Sequence, residues 1–236
     1  EPFAVGSPGT DQVLIEVVAA GVNYADGIIR MGLYESAKTL HGYPITPGFE
    51  VSGRVLEVGA AVSRFKAGDE VVALTLFDGY SSHLLLEHDR VFARPACLSF
   101  DQAAAVPTVF LTAWFMVHEL ASARAGERWL VHSAAGGVGG ALAQLGRLAG
   151  CEVTGVVGQA GKAGAARAAG CAQVIDKAGE DLWQRAEAIA PGGFDAVFDA
   201  NGVSTLGQSY RHVAPAGRLC IFGFASMLPR GRGVPQ

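Results

Sequence analysis

The stretch Arg128-Trp129-Leu130-Val131-His132-Ser133-Ala134-Ala135-Gly136-Gly137-Val138-Gly139-Gly140-Ala141 decides the fold. Its first four residues form an apolar run of strand type, and from Ala141 to Ala149 apolar residues recur at helical spacing. Strand, glycine turn and helix in this order bring bare backbone N–H groups to the positive end of a helix dipole, which attracts a pyrophosphate that a Cβ would hold away. Gly136, Gly137 and Gly139 supply that clearance. Ala134 stands where the G-x-G-x-x-G pattern has its first glycine, so the match is a variant. A glycine-rich turn with no ligand is the bland reading of the same residues.

Around this stretch the elements alternate. Strands are predicted at 128–132, 152–157, 173–175, 194–199 and 218–223, with helices at 138–149, 162–169, 180–190 and 204–213. Alternation with nearly all-apolar strands, such as Phe194-Asp195-Ala196-Val197-Phe198, predicts a parallel sheet covered on both faces, a Rossmann arrangement lacking its sixth strand. The first half reads differently. Residues 12–19, 51–58 and 70–76 predict strands between turn signals at Gly59, Gly68-Asp69 and Asp78-Gly79, which suggests a β-rich, barrel-like half. Ser99-x-x-Gln102 is a capping-box pattern that opens a helical stretch to about Ala123. The expected domains are 1–107 and 108–225, with 226–236 a loop or tail.

The chain has 236 residues, half of them apolar, enough for a sizeable core. A net charge of −4 with scattered Lys and Arg gives no footprint for nucleic acid or an anionic membrane. The longest apolar stretch, 103–117, contains Pro107 and is too short to span a bilayer. Neither a signal peptide nor a lipidation motif is read. Cys97, Cys151, Cys171 and Cys220 show no C-x-x-C pairing, so reduced core thiols in a cytoplasmic protein are expected.

Further stretches carry a resemblance: Ala19-Ala20-Gly21-Val22-Asn23-Tyr24-Ala25-Asp26, Arg30-Met31-Gly32-Leu33-Tyr34, Pro47-Gly48-Phe49-Glu50-Val51-Ser52-Gly53, Gly68-Asp69-Glu70-Val71 and Asp78-Gly79-Tyr80-Ser81. With the glycine turn, they make the chain similar to the medium-chain dehydrogenases/reductases. The branch it resembles is the zinc-independent quinone oxidoreductase-like one, which includes VAT-1-like proteins and polyketide-synthase enoyl reductase domains. The resemblance implies an α/β protein with a GroES-like β-rich catalytic domain and a Rossmann domain, truncated at both ends. Family members carry a further strand at the start, and a sixth Rossmann strand and a return into the first domain at the end.

Zinc-dependent relatives hold the metal with a Cys after the first long strand and a His in a Gly-His-Glu. Asn23 and Phe49 stand at those positions, and neither supplies the ligand. His41, His83, His88, His118, His132 and His212 lack ligand spacing and read as surface or packing residues, so no metal is expected.

The segment from Val156 to Lys162, where an acid would grip the ribose of NAD, contains none. Lys162 can pair with a 2′-phosphate, or can simply open an exposed helix; Arg167 is a weaker candidate. NADPH is therefore the expected cofactor. Its expected contacts are Asn23, Thr108, Ala135, Gly136, Gly137, Val138, Gly139, Gly158, Lys162, Asn201, Phe222, Gly223 and Phe224, where Asn23, Thr108, Asn201 and the 222–224 segment rest on family positions. Asn23 can equally be a turn residue after Gly21. Tyr34 matches a tyrosine of the substrate cleft and, with Asn23, is the catalytic candidate; it can equally be an aromatic packed on the barrel. Tyr24 and Tyr80 are weaker candidates, and Asp26 and Arg30 are expected to form a helical ion pair.

The function so implied is NADPH-dependent hydride transfer to a quinone or an α,β-unsaturated carbonyl. One alternative is an enoyl reductase acting on a carrier-bound thioester, with an acyl carrier protein as partner. The other is an NADPH-binding protein without turnover, VAT-1-like or crystallin-like. The expected partner is a small electrophile, and a homodimer is allowed.

Overall fold

The computed structural model describes residues 6–228; residues 229–236, most of the expected tail, lie outside the described residues. Two compact units, Glu1–Val109 and Phe110–Gln236, divide the chain.

The first unit contains β1 (Gln12–Ala20), α1 (Tyr24–Arg30), α2 (Glu35–Leu40), β2 (Glu50–Val58), β3 (Glu70–Leu74), β4 (His83–Glu87), β5 (Val91–Ala93) and α3 (Phe100–Ala104). Among the described residues its five strands form one antiparallel sheet in the order β4-β1-β2-β3-β5. Alternating residues of successive strands, among them Val13, Ile15, Val51, Val55, Val71, Ala73, Leu84 and Leu86, fill the core on one face. Gly53 faces the backbone of β1, where a Cβ would come 2.0 Å from the Glu16 carbonyl oxygen, beside an irregularity in the β1–β2 register. The sequence pattern missed β4 and β5.

The capping box forms as expected. Gln102 N–H donates to Ser99 Oγ at 3.2 Å and Ser99 N–H donates to Gln102 Oε1 at 3.0 Å. The helical stretch it opens is not continuous, however. α3 ends at Ala104, and α4 (Pro107–Phe115) begins on a proline, whose missing N–H suits a first helical turn and no later one. A π-helical turn at Met116–Leu120 follows α4.

The second unit runs β6 (Arg128–Val131), α5 (Gly137–Leu148), β7 (Glu152–Val157), α6 (Ala163–Ala169), β8 (Gln173–Asp176), α7 (Leu182–Ile189), β9 (Phe194–Asp199), α8 (Leu206–Arg211) and β10 (Val213–Ile221). All its strand pairs are parallel, in the order β10-β9-β6-β7-β8. The chain winds outward from β6 to β8, then returns to place β9 against the other side of β6. The point of reversal, at the carboxyl ends of β6 and β9, is where such sheets bind ligands. Both faces are apolar: Trp129, Val131, Leu142 and Phe198 lie in one core, Leu130, Val156, Ile175 and Val197 in the other. Gly146 of α5 lets the helix rest on the Trp129 ring, which a Cβ would approach to 2.6 Å.

β10 starts five residues before the predicted strand at 218. Val213 pairs with Phe194, and the register breaks before Arg218 resumes it opposite Ala196. The predicted helix at 204–213 shortens to α8 accordingly.

Candidate functional site

The strand–turn–helix stretch folds as its glycines require. Ala134 N–H donates to the Val156 carbonyl oxygen at 3.0 Å, and Ser133 takes a left-handed backbone (φ 56°) to turn the chain. α5 then opens with Gly136 as its N-cap, so no capping side chain covers its first turn. Gly137, Val138 and Gly139 lie in that first turn, where N–H groups have no intrahelical acceptor. Gly139 has a further task besides the one expected. A Cβ there would stand 2.2 Å from the Ser133 carbonyl oxygen, so this glycine seats the helix against the turn.

Beside the turn lies a cleft of about 210 Å³, lined by His132, Ser133, Ala135, Gly136, Val156, Val157, Gly158, Lys162, Lys177 and Asn201. Of the expected contacts it gathers Ala135, Gly136, Gly158, Lys162 and Asn201. None of its lining residues is acidic, and two are lysines. Lys177 was not foreseen; it lies beside Gly158, where a Cβ would make an ordinary 3.9 Å contact with Lys177 Cε.

The wall of the cleft at Asn201 is backed by a buried polar network that sequence reading also missed. The Asp199 carboxylate, fully buried, accepts from Ser209 Oγ at 2.6 Å, from Thr205 Oγ1 at 2.7 Å, and from the backbone N–H groups of Asn201 at 2.8 Å and Gly202 at 3.1 Å. Burial alone would raise its pKa; these four donors outweigh burial and hold the carboxyl below its ordinary range. His132, fully buried, has Nε2 3.1 Å from Ser209 Oγ and Nδ1 3.4 Å from Asn201 Nδ2. Burial pushes its imidazole down to about 4, against the attraction of Asp199 and aided by Lys177, so the ring is neutral at pH 7.

Phe222, Gly223 and Phe224 do not line the cleft. Phe222 N–H donates to the Asp199 carbonyl oxygen at 2.9 Å, and Gly223 passes so close to Ala200 that a Cβ would lie 2.6 Å from its carbonyl oxygen. They brace the loop that carries Asn201.

The first unit holds the remaining candidates in a second network. Glu50, 1% exposed, accepts from Asn23 Nδ2 and from the Thr108 N–H, both at 2.7 Å. Asp26, 3% exposed, accepts from Asn23 N–H at 2.7 Å, Gly48 N–H at 3.2 Å and Tyr80 Oη at 2.8 Å. The expected Asp26–Arg30 ion pair is thus replaced by inward bonds, because Asp26 sits on the buried face of α1 and Arg30 on the exposed one. Burial, and then Asp26 itself, raise the pKa of Tyr80. Gly21 leaves room for Glu50, whose Oε1 would lie 2.4 Å from a Cβ there.

Tyr34 packs its ring on Phe49, with centroids 5.9 Å apart, and Phe49 packs on Phe77 at 5.8 Å. The position of a zinc-binding histidine is therefore part of an aromatic cluster. Among the described residues no group of three or more His, Cys, Asp or Glu is placed to hold a metal ion. Cys151, Cys171 and Cys220 are buried, with thiol pKa values pushed up by burial, whereas Cys97 is exposed and not the core thiol expected. No helix among the described residues is long and apolar enough to cross a membrane.

Comparison with known proteins fits both units. Residues 9–113 match the family model "Alcohol dehydrogenase GroES-like domain" and residues 137–232 match "Zinc-binding dehydrogenase". Quinone oxidoreductase 1 of Escherichia coli (strain K12) is 35% identical over 226 residues, which cover 95% of this chain and 68% of the relative. The chain belongs to the medium-chain dehydrogenase/reductase superfamily. Another relative in this superfamily, the synaptic vesicle membrane protein VAT-1 homolog of Rattus norvegicus, is 34% identical over 227 residues, covering 96% of this chain. The chain spans 55% of the length of that relative. Among solved structures, E. coli quinone oxidoreductase complexed with NADPH superposes with a TM-score of 0.88 at 33% identity, covering 99% of this chain and 71% of that one. CurK enoyl reductase gives 0.89 at 32%, covering 97% and 70%. The architecture is thus the GroES-like domain and Rossmann-type parallel sheet of a medium-chain dehydrogenase/reductase, over about 70% of the solved chains' length.

Proposed function

We propose that this chain binds NADPH and acts as a zinc-independent reductase of quinones or α,β-unsaturated carbonyls. The observation that carries the reading is a cleft beside the glycine turn that presents two lysines and no carboxylate. Lys162 and Lys177 suit a ribose 2′-phosphate, which an acid at the end of β7 would repel. The unpaired N–H groups opening α5 suit the pyrophosphate. Relatives add weight, since the E. coli enzyme was crystallised with NADPH.

The bound nicotinamide supplies a hydride. The residues proposed to act around it belong to this chain. Asn23 is held in place by the bond from its Nδ2 to Glu50, and is proposed to lie beside the nicotinamide ribose or carboxamide. Thr108, held through its N–H by the same carboxylate, is fixed in place. The Tyr34 hydroxyl, or solvent, would give a proton to the enolate or quinolate oxygen left by hydride addition. A zinc ion to polarise the carbonyl is not part of the proposal, because an amide and a phenyl ring stand where thiolate and imidazole would be needed. Buried free thiols favour a reducing compartment, the cytoplasm.

The resemblance to CurK enoyl reductase favours a second reading, reduction of an enoyl thioester on an acyl carrier protein. Assay of the longest available chain with NADPH against quinones, enones and a carrier-linked enoyl substrate separates them. Turnover of free quinones or enones supports the first, turnover of the carrier substrate alone the second, and oxidation of NADPH by none overturns both. Lys162→Ala and Lys177→Ala should each weaken NADPH binding about tenfold and leave NADH unchanged, with an effect that shrinks as salt rises.

A further inference from the structure

The network behind the cleft permits an accounting of its protons. Asp199 is an ionised carboxylate and accepts only, so the single Ser209 proton goes to its Oδ2, 2.6 Å away. Ser209 Oγ must then accept from the group at its other side, His132 Nε2 at 3.1 Å. A neutral imidazole that is protonated on Nε2 has a lone pair on Nδ1. Nδ1 therefore accepts from the Asn201 amide at 3.4 Å, and the nitrogen of that amide faces the ring. Its oxygen has no protein partner among the described residues.

We infer that Asp199, Ser209 and His132 are positioning residues that fix the Asn201 amide with Oδ1 as the acceptor offered to a hydroxyl of the bound nucleotide. Asn201 lines the cleft, and its own backbone N–H is held by Asp199 at 2.8 Å, so one carboxylate sets both the main chain and, three links on, the side chain. His132 is further confined by the Trp183 ring, 5.8 Å away between centroids. The inference rests on the nucleotide-binding reading given above.

Long-range ¹H–¹⁵N correlation of the His132 imidazole in the ligand-free wild-type protein tests the relay without any substitution. A neutral Nε2–H tautomer at pH 7 is expected; an Nδ1–H tautomer, which would reverse the Asn201 amide, overturns the inference. Ser209→Ala should let the Nδ1–H form appear and raise the Kd for NADPH about tenfold, the worth of one well-placed hydrogen bond. Asn201→Ala should raise that Kd similarly, and the double variant no further than either alone, because both remove the same acceptor. Additive effects, or an unchanged Kd in Asn201→Ala, overturn it. Failure of the wild-type protein to bind NADPH would bring down the nucleotide reading itself, whereas the wrong tautomer with intact binding would remove only the relay.

Discussion

The Cβ of Ala134 occupies the space that the missing side chain of Gly155 leaves on the neighbouring strand. A Cβ on Gly155 would come within 2.7 Å of it and 2.6 Å of Cys171 Sγ. The departure of the glycine turn from its usual pattern at position 134 is thus absorbed by a glycine on β7, and the turn keeps its hydrogen bond to Val156.

Gly155→Ala should accordingly lower stability by about 1–3 kcal/mol through overpacking, and Ala134→Gly in the same chain should recover part of the loss. Urea denaturation of the two single variants and the double variant measures both. A Gly155→Ala protein as stable as wild type would show that the contact is relaxed.

Gly139→Ala should shift the turn rather than the helix core, since the added methyl meets the backbone of Ser133. NADPH affinity should drop by about tenfold or more, read by fluorescence titration. Gly164→Ala serves as the control. Nothing lies within 4 Å of a Cβ there, so it should stabilise α6 by about 0.5–1 kcal/mol with affinity unchanged.

His132 makes stability depend on pH. Its folded-state pKa of about 4 lies below the ordinary 6.5, so between these values the unfolded chain takes up a proton that the folded chain refuses. Stability should fall as pH drops through that window, by about 3 kcal/mol in all. Asp199, whose pKa is lowered, adds a further loss as pH falls below the ordinary carboxylate range. Denaturation midpoints at pH 7 and pH 4.5 should differ strongly in wild type and much less in His132→Gln.

Glu50→Ala should be among the most destabilising substitutions in the first unit. It withdraws the acceptor from the Asn23 amide and the Thr108 N–H at a site that is 1% exposed. A cost of about 2–4 kcal/mol is expected, with Glu50→Gln costing less because one acceptor remains. Thermal melting followed by circular dichroism checks the order of the three proteins.

What could be read from the chain was local. The glycine turn, the apolar strands around it and the Ser99–Gln102 cap are each written within a dozen residues, and each forms. His83-Leu84-Leu85-Leu86-Glu87 shows no period-two alternation, so β4 left no signal although Leu84 and Leu86 fill the core. The site needed contacts that no local pattern encodes. Asp26 meets Tyr80 across 54 positions and His132 meets Ser209 across 77, so one reads in sequence as half of a helical ion pair and the other as a packing residue. Lys177 escaped notice for a related reason: the ribose-binding pattern directs attention to the end of β7, while this lysine follows β8, the strand beside it.

The strand order of the second unit also governs when its cleft can exist during synthesis. β6 is the middle strand, and one of its two neighbours, β9, emerges from the ribosome only some sixty residues later, with loop closure to match. A nascent chain that has reached β8 holds the glycine turn and both lysines but has no Asn201 wall. The cleft is therefore complete only after β9 has joined β6 and brought the loop carrying Asn201 with it, and any nucleotide bound earlier would lack the contact of that wall.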